Sequence, residues 1–79
     1  MPEVDVKAAV SAFFSSRGKA IPAADFDLFD SELIDSMELL ELIMHLEEEF
    51  NLSIDQDLMS VDNFRTLERI AETVAQEGT

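Results

Sequence analysis

Leu33-Ile34-Asp35-Ser36-Met37-Glu38 is the stretch that decides how the chain folds: loop residues without a sustained period precede it, and a strongly amphipathic helix follows. Ser36 falls in the first turn of that helix, beside backbone N–H groups that lack an intrahelical acceptor and form the positive end of the helix dipole. A hydroxyl there suits an attached phosphate, and it is also an ordinary way to begin a helix. Asp35 and Glu38 form a capping-box-like pair that can satisfy free N–H groups with no further role. The Asp-Ser pair recurs at Asp30-Ser31, but no amphipathic helix follows it there.

The helix opened by Ser36 is expected to run to about Phe50. At about 100° per residue, Leu39, Ile43, Leu46 and Phe50 form the centre of its buried stripe, with Glu38, Glu41, His45, Glu48 and Glu49 opposite. Met37 and Met44, with Leu40 leading back to the stripe, lie on a flank between the two. That flank is either core edge or an exposed, adaptable contact surface of the kind methionine provides.

Upstream, Val6, Ala9, Val10, Phe13 and Phe14 recur at helical spacing between Val4 and Ser16, and Arg17-Gly18-Lys19 ends that first helix with a glycine able to take the left-handed cap conformation. Between Gly18 and Asp35 lies a long loop in which Phe26, Leu28, Phe29 and Leu33 are the expected pins. Downstream, Leu52 and Ile54 fall in a connection without helical register. Ser60 to Phe64 reads as a short turn of helix with Ser60 as N-cap and Val61 and Phe64 facing inward. Thr66 then caps a last helix to about Gln76, with Leu67, Ile70, Ala71 and Val74 buried and Gly78 beyond its end. The expectation is one all-α domain over residues 1–79: a small bundle of three main helices plus one short helix, with a long loop between helices one and two.

Composition narrows the chemistry. Eighteen acidic residues against five basic ones give a net charge of −13, which argues against binding nucleic acid or an anionic membrane and favours a basic protein partner. No Lys or Arg occurs from Ala20 to Phe64, so the loop and second helix read as one continuous acidic field. Such a field steers encounter with basic surfaces and weakens with salt. Glu3 and Asp5 stand where a signal peptide needs basic residues, and no apolar run approaches membrane-spanning length, so a cytoplasmic monomer without membrane insertion is expected.

Several chemistries find no support. The chain has no cysteine, which excludes disulfides and thiolate metal sites. Calcium-hand spacing fails: counted from Asp25, the required Gly and Glu positions hold Asp30 and Ser36, and counted from Asp55 they hold Ser60 and Thr66. A nucleophilic serine needs a base, and the single histidine, His45, lies about 13 Å along the helix axis from Ser36 on a different face. The chain therefore does not read as an enzyme.

Helix, long loop, Asp35-Ser36-Met37, the acidic run Leu46-Glu47-Glu48-Glu49-Phe50, short turn and final helix together resemble the acyl carrier proteins and their peptidyl and D-alanyl relatives. The resemblance covers nearly the whole chain. It implies that Ser36 is esterified by 4′-phosphopantetheine, delivered from coenzyme A by a magnesium-dependent phosphopantetheinyl transferase, and that the thiol of the arm carries an acyl group between enzymes. It further implies that Asp35 helps the transferase recognise the site. Met37, Glu38, Glu41, Met44, Glu47 and Glu48 fall where the family's second helix meets basic patches on loading and downstream enzymes. Leu33-Ile34 stands where fatty-acid and peptidyl carriers often have a Gly before the Asp-Ser pair, and Leu28 to Met37 with Asn63-Phe64-Arg65-Thr66-Leu67 looks more like carriers of D-alanyl or other aminoacyl groups. The expected function is a discrete acyl carrier, the alternative an aminoacyl carrier, and the rival from another class an unmodified acidic interaction module. Phe13, Phe14, Phe29, Phe50 and Phe64 are expected to fill the bundle and leave little room for a long acyl chain.

Overall fold

The computed structural model describes residues 2–77. The order is α1 (Glu3–Ser15), α2 (Ser36–Phe50), 3₁₀ turns at Gln56–Leu58 and Asp62–Phe64, and α3 (Leu67–Glu77), with no strand among the described residues. The expected all-α architecture is therefore observed, with two short turns where one was expected. Gly78 lies outside the described residues. The Cα radius of gyration is 11.2 Å, close to the roughly 12 Å expected for a compact chain of this length.

Each helix boundary has a local cause. After α1, Gly18 takes a φ of 74°, and Lys19 N–H returns to the Phe14 carbonyl at 2.9 Å, so a residue without Cβ closes the helix end. Asn51, at φ 52°, ends α2 in the same left-handed conformation, which asparagine tolerates better than most residues. Thr66 Oγ1 accepts the Arg69 N–H at 3.1 Å and caps α3 as expected.

α1 packs against both α3 and α2. Phe14, Phe64, Leu28, Leu42, Leu46, Ile70, Val6, Val10 and Val74 are fully buried. At about 1.5–3 kcal/mol per large apolar side chain, this burial is the main favourable contribution to folding. Four sequence expectations need correction. Leu42 belongs to the buried stripe of α2, whereas Phe50 is half-buried at its end. Phe29 is likewise only partly buried, so Phe13, Phe14 and Phe64 fill the centre with aliphatic residues. Val61 is 42% exposed rather than inward, because the second 3₁₀ turn starts at Asp62 and presents only Phe64 to the core. Thr73 joins the buried side of α3, its Oγ1 donating to the Arg69 carbonyl at 2.8 Å.

The long loop is anchored rather than loose. Leu28 is fully buried and Ile34 nearly so. Leu28 N–H donates to the Arg65 carbonyl at 2.8 Å, Ile34 N–H to the Leu28 carbonyl at 3.0 Å, and Glu68 N–H to the Ala24 carbonyl at 3.0 Å. The loop thus lies across the start of α3 and delivers the chain to Asp35 from a fixed direction.

Candidate functional site

Ser36 is the first residue of α2 and is exposed. Asp35, in extended conformation, is the N-cap, and its Oδ1 accepts the Glu38 N–H at 2.8 Å. Asp35 thus satisfies one N–H of the first turn while leaving Ser36 Oγ outside the cap. Cap and attachment roles fall on different residues, so both can hold together. Helix geometry leaves the first N–H groups without intrahelical acceptors, and an anion on Ser36 would sit at this positive end of α2. An exposed hydroxyl at such a helix start fits a phosphodiester-linked group.

Only half of the capping box forms. The Glu38 carboxylate is turned to Lys19, with Nζ to Oε1 at 2.5 Å. The same ammonium donates to the Leu33 carbonyl at 2.8 Å. One turn along α2, Arg17 pairs with Glu41, and its guanidinium carbon stands 4.4 Å from the Phe13 ring centre. The acidic field is therefore not continuous: two cations from the end of α1 reach its N-terminal half. Sequence reading missed both, although their position at the border of the cation-free stretch is a signal that could have found them.

The remaining residues expected to meet partners divide. Met37, Leu40 and Met44 are 67, 53 and 64% exposed and form an apolar stripe on the outer face of α2, which decides the flank in favour of exposure. Glu48 is exposed. Glu47 is half-buried, and its Oε2 accepts the Ile54 N–H at 2.9 Å. His45 is not the solvated residue expected: it is half-buried with its ring 5.4 Å from that of Phe13. No group of three or more His, Cys, Asp or Glu among the described residues is placed to hold a metal.

A second charged cluster steadies the loop from the other side. Asp27 Oδ1 accepts N–H groups from Asp30 at 2.8 Å and Phe29 at 3.0 Å, and Asp27 Oδ2 meets Arg65 Nη1 at 3.1 Å. The Asp30 N–H, then the Arg65 guanidinium and the Phe29 N–H, hold the Asp27 carboxyl below the usual aspartate range. Asp27, followed by Asp30 and Asp62, holds the Arg65 cation more firmly protonated still.

Comparison with known proteins points the same way. The family described as "Phosphopantetheine attachment site" matches residues 5–74. The D-alanyl carrier protein of Streptococcus sanguinis (strain SK36) is 36% identical over 52 residues, 66% of each chain. That of Streptococcus mutans serotype c is 35% identical over 52 residues, with the same coverage. The matched stretch is thus slightly less than two thirds of the length of these relatives. Within the described residues no helix is long and apolar enough to cross a membrane. With the helical fold and an exposed serine at the start of α2, the match over nearly the whole chain shows that it belongs to the phosphopantetheine-attachment family of acyl carrier proteins, whose cofactor is covalently bound 4′-phosphopantetheine.

Proposed function

We propose that Ser36 Oγ is the attachment point of the arm and that the cargo carried on its thiol is a small aminoacyl group. In loading the arm, the Ser36 oxygen forms the new bond to phosphorus, the pyrophosphate link of coenzyme A breaks, and adenosine bisphosphate leaves. The hydroxyl proton passes to a base of the transferase, since the neighbouring carboxylates of this chain are engaged elsewhere: Asp35 accepts the Glu38 N–H and Glu38 holds Lys19. Asp35 keeps the helix start in place during that exchange, and Met37, Leu40 and Met44 with Glu48 offer the transferase and loading enzyme an apolar stripe beside acids. Glu47 contributes its charge while held by the Ile54 N–H, whereas the charges of Glu38 and Glu41 are offset by Lys19 and Arg17.

The single observation behind an aminoacyl cargo is the likeness to D-alanyl carrier proteins, 36% identical over 52 residues. The packed interior agrees with it, because Phe14, Phe64, Leu42 and Leu46 leave the centre of the bundle filled and a small polar cargo needs no internal cavity. Loading the arm with an amino-acid-activating enzyme and with a fatty-acyl-activating enzyme tests this. Thioester formation by the first well above the second is expected, and the reverse order returns the cargo to a fatty or polyketide acyl group.

A further inference from the structure

The ammonium of Lys19 is held by two groups that bracket the attachment serine: the Leu33 carbonyl at 2.8 Å on the loop side and the Glu38 carboxylate at 2.5 Å on the helix side. Both side chains of the pair are sheltered, 31% exposed for Lys19 and 17% for Glu38. Lys19 is itself placed by the turn before it, where Gly18 adopts its left-handed conformation and Lys19 N–H bonds the Phe14 carbonyl. The segment from Leu33 to Glu38 is thereby tied to the end of α1. Among the described residues its other ties include the Ile34 N–H to the Leu28 carbonyl, the Leu39 N–H to the Asp35 carbonyl, the Asp35 cap on the Glu38 N–H and the buried Ile34 side chain. None of these reaches Leu33 and Glu38 together except Lys19.

We infer that Lys19 is a positioning residue for phosphopantetheinyl transfer: by clamping Leu33 to Glu38 it fixes where Ser36 Oγ stands when the transferase docks on α2. This rests on Ser36 as the attachment point. A nucleophile held within a fraction of an ångström keeps its orientation without loss of entropy at the moment of reaction, and a misplacement of about 1 Å costs up to about a hundredfold in rate. Lys19 also acts against binding by charge, because it cancels one acid on a surface that basic partners approach. Removing it therefore weakens the chemical step while leaving docking unchanged or stronger.

That opposition separates positioning from mere stability. The carrier is the substrate of the transferase, so a partly unfolded variant lowers the concentration of competent substrate and raises the apparent KM with kcat intact. Loss of positioning lowers kcat. Initial rates are measured with coenzyme A, magnesium and a broad-specificity transferase, varying wild type, Lys19→Met and Lys19→Arg. The expected result is a fall in kcat of about tenfold for Lys19→Met with KM unchanged or lower, and recovery of most of it in Lys19→Arg, whose fork can reach both acceptors. A kcat for Lys19→Met within about twofold of wild type, whatever its KM, overturns the inference. Should Lys19→Met fail to fold, Glu38→Ala removes the helix-side acceptor of the same clamp and is read by the same kcat criterion. An adduct that persists in Ser36→Ala would instead refute the attachment reading, so the two failures are distinct.

Discussion

The carboxylate of Glu47 accepts the backbone N–H of Ile54 at 2.9 Å and closes the turn that follows α2. Ile54 is 4% exposed, so its N–H would lose its partner away from free water if this carboxylate were removed. Leaving a sheltered donor unpaired costs about 1–3 kcal/mol, a sizeable share of the roughly 5–15 kcal/mol that holds a domain of this kind together. Glu47→Ala is expected to lower unfolding stability in urea by about 1–2 kcal/mol, and Glu47→Gln by less, since its amide oxygen still accepts. Unaltered stability of Glu47→Ala would leave Glu47 as a surface acid only.

The loop before Ser36 depends on Leu28, whose side chain is fully buried. Truncation leaves a void that a close-packed core fills poorly, and Leu→Ala changes of this kind cost about 2–5 kcal/mol. Leu28→Ala should bring thermal unfolding down by many degrees and speed amide exchange from Asp27 to Asp35. Loss confined to global stability, with loop exchange following the global rate throughout, would mean that the loop and bundle unfold only as one unit.

Acid should loosen the same loop. The Asp27 carboxyl sits below its ordinary value of 3.8 in the folded chain, so its charge stabilises the fold above that value and ceases to do so as pH falls through the folded pKa. Asp27→Asn keeps an oxygen acceptor for the Asp30 and Phe29 N–H groups but gives up the Arg65 contact. The stability difference between wild type and Asp27→Asn should be largest above the ordinary aspartate range and shrink towards zero on acidification. A difference independent of pH would show that the charge of Asp27 contributes nothing. Salt should reduce it at neutral pH, because the ion pair is partly open to solvent.

Met44 is 64% exposed and Leu40 53%, and neither supports the core. Leu40→Asn and Met44→Asn should therefore change unfolding stability by no more than about 0.5 kcal/mol. As part of the surface offered to the transferase, each should raise its KM by about fivefold, the loss expected of an apolar contact worth about 1 kcal/mol. Unchanged KM in the double variant would move the docking surface elsewhere.

The three helices and their caps were legible because each rests on a local signal: the 3.6-residue period of Val6, Val10 and Phe14, Gly18 after α1, Asp35 before α2 and Thr66 before α3. Ser36 was legible from its place at a helix start. What escaped sequence reading depends on long-range approach. The places of Lys19 and Arg65 at the borders of the cation-free stretch mark them as cations for its acids, but nothing local names Leu33 and Glu38, or Asp27 and Asp30, as their partners, because those pairs form only when the loop folds across the bundle. Phe29 looked like core from its type and Phe50 from its register in the stripe of α2, whereas their positions at a loop and a helix end leave them half-buried. Asn51 carried a local signal that went unread, since a left-handed residue after α2 favours asparagine.

Intact-mass measurement after incubation with coenzyme A, magnesium and a broad-specificity phosphopantetheinyl transferase tests the central claim most directly. One phosphopantetheine adduct on the wild-type chain and none on Ser36→Ala, with both chains equally helical, is the predicted result. No adduct on the wild type, or an adduct that survives Ser36→Ala, would contradict Ser36 as the point of attachment.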